Sequence, residues 1–302
     1  MSTKKRRQHH VWQHYLRSWA TDGYIWCLRD KTIFRPNTLN VAVERDFYKL
    51  RPISAHEKQI IETVIIKPAH PVAQEHHKTL LNNLMKPVFF FEQLQAHMSA
   101  VDFEPELDKY LTNIIEDYHT GIEIEFIPIL ERLLKSDSAF YSEENTSILF
   151  FHFLSMQHMR TKNIKERTCQ LLLRYHQIDF SGIWNVVVLM LAFNIGMSLF
   201  GDRHSRRLSI LTNKTQTPFI TGDQPTINLV ADGTRPPDEL RLYYPLSPTL
   251  ALLLTEPHAE PAFSDGQLSE DNVSYLNGRI KDASRDQIFG VSEQSLLPYS
   301  KT

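Results

Sequence analysis

The chain is 302 residues long, with 42% hydrophobic and 23% charged residues, an ordinary globular composition with ample material for a core. A formal net charge of -2 removes any global electrostatic case for nucleic acid or a membrane surface, so such a surface would have to be local. Two cysteines, Cys27 and Cys169, are too few for a disulfide framework or a Cys-rich zinc site and read as buried thiols in a reducing cytoplasm.

The start carries Lys4, Lys5, Arg6 and Arg7 with no apolar stretch behind them, which fits a solvated tail, or a basic arm touching phosphate, and not a signal peptide. Residues 9–20 read as a short amphipathic helix, because Val11, Trp12, Tyr15, Leu16 and Trp19 recur at helical spacing. On it His10 and His14 stand four apart and could reach one metal ion, although hydrogen-bonded packing is the plainer reading. His10, at the helix entrance, is an acid/base candidate poised near neutral pH. Asp22 and Gly23 turn the chain into a strand over 24–29. Asp30 and Lys31 make a hairpin turn before a strand over 32–34, and 41–50 is a further extended segment.

From Ser54 the pattern turns helical. Ser54 and Glu57 form a capping box ahead of Ile60, Ile61, Val64 and Ile65. Pro68 and Pro71 break that helix; the next spans 72–85 and Pro87 ends it. A helix over 107–134 is kinked by Pro128. Its Glu116, Asp117, Glu123 and Glu125 read as a solvated face, with Glu116 and Glu123 able to project inward. The strongly apolar helix over 142–160 ends in Gln157 and Arg160, three apart and on one face. An arginine there can grip a phosphate or carboxylate with its planar fork, or simply pair with an acidic side chain and cap helix carbonyls. After a helix over 164–175, residues 183–200 have membrane-span length, but Asn185, Asn194 and Ser198 favour a buried central helix and no membrane.

Beyond Arg206 the signal becomes β. Segments 208–211 and 219–221 look like paired strands around the 213–218 connection, and 230–239 is a loop. Strands over 240–244 and 249–255 flank Pro245, Leu246, Ser247 and Pro248. Ser269 with Asp271 caps a helix through Val273, Leu276 and Ile280 that projects Asn277, and a strand near 288–291 closes the sheet. The run Phe219 to Pro225 ends in a turn that presents Asp223 at a strand end, where it can face a cleft or bond its own backbone as an Asx turn.

The element order predicts an α+β single domain over 1–302, with one sheet completed from both ends of the chain. A helical block occupies about 54–200, and a C-terminal β-rich lobe of about 206–295 packs with the N-terminal segment 9–50. Phosphate-binding Gly loops, the Gly-x-Ser-x-Gly elbow, the kinase set, the zinc deaminase pattern and RNA-recognition strand motifs are all missing. Arg167 and His176 are too far apart for the Arg-His signature of the helical ribonucleases.

Five short motifs in order carry a resemblance: His10 with Tyr15-Leu16-Arg17 and Trp19; Gln157 with Arg160-Thr161; Thr221-Gly222-Asp223-Gln224-Pro225; Pro245-Leu246-Ser247-Pro248; and the Asn277 helix. The chain resembles the bacterial family known as domain of unknown function 4238. It departs from the pattern by lacking the usual first Pro and by ending the opening motif in Trp19. The resemblance implies no established activity. It implies a shared polar site and, by analogy with other small stand-alone bacterial proteins, an anti-phage defence or toxin effector.

Three readings follow. The first is a cytoplasmic hydrolase of the nuclease class acting on nucleic acid or a nucleotide with Mg²⁺ or Mn²⁺. In it Asp223 is the metal ligand or general base, His10 the acid/base and Arg160 the clamp for phosphate charge. Gln13, Gln157, Thr221, Ser247 and Asn277 would hold the substrate. The second is a non-catalytic binding, sensor or protein-interaction module of a defence system, with a small anion or a protein partner at the same place. The third makes these residues caps and turns that hold the sheet to the helices. Substrate, metal identity and oligomeric state stay open.

Overall fold

The computed structural model describes residues 3–95, 104–231, 239–256, 263 and 268–300. The N-terminal segment holds β1 (Arg7–His9), α1 (Gln13–Leu16), β2 (Trp26–Arg29), β3 (Thr32–Phe34) and β4 (Val43–Arg45). β1 pairs antiparallel with β4, and His10 N donates to Ala42 O at 3.0 Å, so the chain stays extended through His10. The helix expected over 9–20 therefore begins only at Gln13, and His10 and His14 share no helical face. The basic start is not a solvated tail. Lys4 pairs with Asp108, Lys5 with Asp117 at 2.7 Å and Arg6 with Asp46, so the charges meant for a phosphate are used within the fold. Asp30 and Lys31, at φ 48° and 62°, make the left-handed two-residue turn that suits the twist of the β2–β3 hairpin.

The Ser54–Glu57 capping box opens α2 (Ala55–Ile60), which widens into π-helical turns over Ile61–Ile66 before Pro68 ends it. Pro71 starts α3 (Pro71–Gln95), and Pro87 does not stop it. A helical proline orphans the carbonyl four residues back; here Tyr110 Oη donates to Asn83 O at 3.3 Å and Leu84 O at 3.1 Å. Buried Leu81, Leu84, Met85 and Val88 hold the helix on the core across the defect. α4 (Glu104–Leu134) likewise runs through Pro128. There follow α5 (Glu144–Met159), α6 (Lys162–His176) and α7 (Trp184–Gly201). α7 is long and apolar enough to cross a membrane. It lies along α5 so closely that a Cβ on Gly196 would stand 3.2 Å from Phe151 O, and its Val186 to Met190 are core.

The C-terminal part holds β5 (Arg207–Thr212), β6 (Thr221–Gly222), β7 (Ile227–Asn228), β8 (Arg241–Pro245), β9 (Leu250–Thr255), α8 (Glu270–Ala283), β10 (Ile288–Gly290) and α9 (Leu297–Ser300). One four-stranded sheet, in the order β3-β2-β10-β6, draws on both ends of the chain. This is the α+β arrangement the element order implies. A second sheet, β5-β9-β8-β7, contains the β8–β9 hairpin. β5 and β6 do not pair, because the loop between them is closed on itself: Asn213 Nδ2 donates to Thr217 O at 2.8 Å, and Thr215 N to Asn213 Oδ1 at 2.9 Å. β6 is thereby released to the other sheet, where it pairs with β10. The expected loop over 230–239 lies mostly outside the described residues. Three apolar clusters result: one under α1, α4 and α5, one around α3 and α7, and one between the sheets and α8.

Candidate functional site

The end of α5 is the crossing point of the molecule. Arg160, 2% exposed, donates from Nη2 to Glu123 Oε1 at 2.7 Å and to Gln157 Oε1 at 2.8 Å. Gln157 Nε2 in turn donates to His10 O at 3.1 Å, and Trp12 N donates to Gln157 Oε1 at 3.4 Å. One amide thus ties the N-terminal segment to α5 and orients the guanidinium. Glu116, His119 and Glu123 come from one face of α4, at steps of three and four residues, so the inward option for both glutamates is realised. Around them stand Tyr48, whose ring centroid is 4.5 Å from His119, and Phe47, 5.5 Å from His10.

This chamber is rich in unpartnered polar atoms. Both ring nitrogens of His10 and of His119, Glu116 Oε2, Arg160 Nε and Tyr244 Oη are buried without a partner among the described residues. Burial and then the Arg160 charge push His10 down to about 3, and the same causes push His119 far below its ordinary value. Both are neutral at pH 7, so His10 is not poised near neutrality as the sequence suggested. Burial also outweighs the arginine at Glu123, which is raised despite its ion pair. Glu116 is the group that titrates near neutrality: burial pushes it from 4.5 up to about 7, against Arg160 and with help from Glu123.

A pH prediction follows from Glu116. Its folded pKa exceeds its unfolded one, so the native state binds the proton more tightly; the stabilisation is full below 4.5 and is lost as pH rises through about 7. The loss is on the order of 3 kcal/mol. Glu116→Gln is expected to remove it, so urea midpoints of wild type and variant should converge in acid and cross in the variant's favour at pH 8. Parallel profiles would assign the titration to another group.

The other sequence candidates are each hydrogen-bonded to partners of their own. Asp223, 2% exposed, accepts from Arg285 N at 2.7 Å on Oδ1, and from Asp286 N at 2.7 Å and Gln287 N at 2.9 Å on Oδ2. Burial pushes its pKa up to about 6 against those three donors, so it is ionised at pH 7. Its lone pairs are spent on backbone, and among the described residues no three His, Cys, Asp or Glu converge to hold a metal ion. Asp223, the one residue named for Mg²⁺ or Mn²⁺, is thus held by three backbone donors. Thr221 Oγ1 shares a 2.7 Å bond with Tyr15 Oη, which also donates to Pro245 O at 2.8 Å. Asn277 accepts from Ile220 N at 3.0 Å and donates to Pro218 O at 3.0 Å, clamping the strand entry to α8. Gln13 donates to Thr38 Oγ1 at 3.1 Å, and Ser247 Oγ accepts from Leu250 N at 3.1 Å inside the hairpin loop.

The sequence reading missed a cavity of about 700 Å³ bordered by α5, α6, α7, α8, β7 and β8. His158 is rotated about 100° from Gln157 on the helix and lines it. His158 Nδ1 lies 2.8 Å from Thr226 O, so this nitrogen carries the proton and Nε2 carries the lone pair. Gln224 of the Asp223 turn donates to Thr226 O at 2.8 Å and to His158 O at 3.2 Å and accepts from Thr161 Oγ1, fixing both partners. Arg167 and Arg279 face the space with one carboxylate, Asp282. His176 borders it too, so the arginine and histidine rejected as a linear signature meet one cavity.

The model of a family described as a protein of unknown function, DUF4238, matches residues 7–179 and 188–294. The chain belongs to that family. No curated protein and no solved structure matches it. Within this DUF4238 chain, the motifs that carried the resemblance divide by role. Gln157 and Arg160 build the buried chamber, Asp223, Thr221 and Asn277 fix strands and loops, and the unremarked positions between them, His158 and Gln224, reach the cavity.

Proposed function

We propose that this DUF4238 protein binds a phosphorylated ring compound of the nucleotide class, free or at the end of a nucleic-acid strand, in the cavity beside α5 and α6. The observation that carries the reading is the placement of Arg167 and Arg279 against a single carboxylate on the wall of a cavity that also presents apolar side chains. Arg167 is exposed and makes no ion pair or hydrogen bond with another described residue, so its fork is available to an anion. Leu172, Tyr175, Ile195 and Leu199 supply apolar surface for a base. The volume lies within the range of about 300–1,000 Å³ typical of small-molecule sites. The chamber around Arg160 supports the cavity wall from behind, through α5, and its buried groups are positioned to hold the fold.

Thermal unfolding with ATP, GTP or a short 5′-phosphorylated RNA is expected to show stabilisation that rises with ligand concentration. Adenosine should give little, because the phosphate contact is missing. Arg167→Ala is expected to weaken binding about tenfold, the loss of one charge-assisted contact. Assays with and without Mg²⁺ or Mn²⁺ separate a metal carried by the ligand from direct recognition. Equal stabilisation by adenosine and ATP, or unchanged affinity in Arg167→Ala, would overturn the proposal.

A further inference from the structure

We infer that His158 is the general base of a hydrolysis at phosphorus, in which a water attacks the ligand bound in the cavity. The inference rests on the binding reading above and adds a reaction to it. Three features support it. The bond from Nδ1 to Thr226 O fixes the tautomer and the ring plane, and Gln224 Nε2 holds that same carbonyl. Among the described residues the ring's hydrogen bond is the one at Nδ1, not at Nε2, and the residue borders the cavity that Arg167 and Arg279 also line. Burial lowers the pKa of His158, opposed only by the Thr226 bond, so the imidazole is neutral and able to accept a proton at pH 7.

In the step, Nε2 takes a proton from water as the water oxygen forms its bond to phosphorus. The bond from phosphorus to the leaving oxygen breaks, and that oxygen carries the electron pair away and is protonated by solvent. The imidazolium returns its proton to bulk water. Arg167 and Arg279 neutralise the charge spread over the phosphoryl oxygens. No oxidant, reductant or second substrate is required. The titratable and charged groups that face the same space are Arg167, Tyr175 and His176 from α6 and Arg279 and Asp282 from α8.

The test uses the full chain with ATP and with a short 5′-phosphorylated RNA, reading phosphate release and strand shortening, each with and without Mg²⁺. Turnover by the wild type is expected, with an acid limb set by one ionisation. His158→Asn keeps an N–H where Nδ1 donates to Thr226 O and removes Nε2. It is expected to retain ligand-induced stabilisation, lose the acid limb and fall at least ~100-fold in rate, the usual contribution of a positioned base. His158→Ala should be partly rescued by added imidazole, which a purely structural histidine would not permit. Binding without turnover by the wild type, or full turnover in His158→Asn, overturns the inference and leaves the binding reading intact. Failure of both ligands to bind overturns that reading, and this inference with it.

Discussion

Replacing Arg160 with alanine is expected to destabilise the protein by about 3–5 kcal/mol, the scale for removing one partner of a buried ion pair. The reason is what remains. Glu123 loses the counter-charge at 2.7 Å, and Gln157 Oε1 loses the donor that shares it with Trp12 N. Neutralising the pair together should cost far less, because a matched apolar replacement of a buried ion pair is often neutral. Urea unfolding of Arg160→Ala, Glu123→Leu and Arg160→Met/Glu123→Leu makes the comparison. A double variant as unstable as the sum of its singles, or an alanine variant within about 1 kcal/mol of wild type, would show that the pair does not carry this load. Loss of nucleotide stabilisation in Arg160→Ala at temperatures where it remains folded would relocate the ligand to the chamber.

What could be read from the sequence was what local geometry decides. The β2–β3 hairpin follows from two residues that tolerate positive φ, and the start of α2 from a serine and a glutamate three apart. The pairing of Gln157 with Arg160 follows from helical spacing, and the inward turn of Glu116 and Glu123 was one of two options their spacing allowed. Distant partners defeated the rest. α3 survives Pro87 because Tyr110, on another helix, satisfies the orphaned carbonyl. The segment before Gln13 is a strand because Val43–Arg45 pairs with it, overriding an amphipathic period. Polarity and motif position singled out Asp223 and Asn277, yet neither property distinguishes a side chain that faces a ligand from one that satisfies backbone. His158 was passed over for the same reason in reverse: a position between the named residues of a motif says nothing about the cavity that folding places beside it.

Asp223→Asn is expected to cost about 3–5 kcal/mol at pH 7.5, in spite of being nearly isosteric, since hydrogen bonds to a charged acceptor are worth about 1.5–3 kcal/mol each. The carboxylate takes one N–H on Oδ1 and two on Oδ2. An amide has one acceptor oxygen. Kept on Asp286 N and Gln287 N, it would point its NH₂ at Arg285 N, donor against donor; flipped, it would abandon Asp286 N and the buried Gln287 N. The segment 285–287 is the hinge between α8 and β10, and its position sets more than local order. Gln287 Oε1 accepts from Ala42 N at 3.2 Å, beside the His10 backbone, and Asp286 pairs with Lys162 at 2.8 Å, next to Thr161 at the entry of α6. Gln224, the next residue along, reaches the other way to His158 and Thr226. The turn therefore joins both ends of the chain to the helix that carries Arg160 and to the cavity wall. Hydrogen exchange should show Asp223→Asn loosening 285–287 and β10 first, with β6 following. A second consequence is lower ligand affinity without loss of the Arg167 contact, because the His158 wall is no longer held. Unchanged exchange at 285–287 together with a shift below about 1 kcal/mol would return Asp223 to a direct role in chemistry, and rate measurements at constant binding would then be the place to find it.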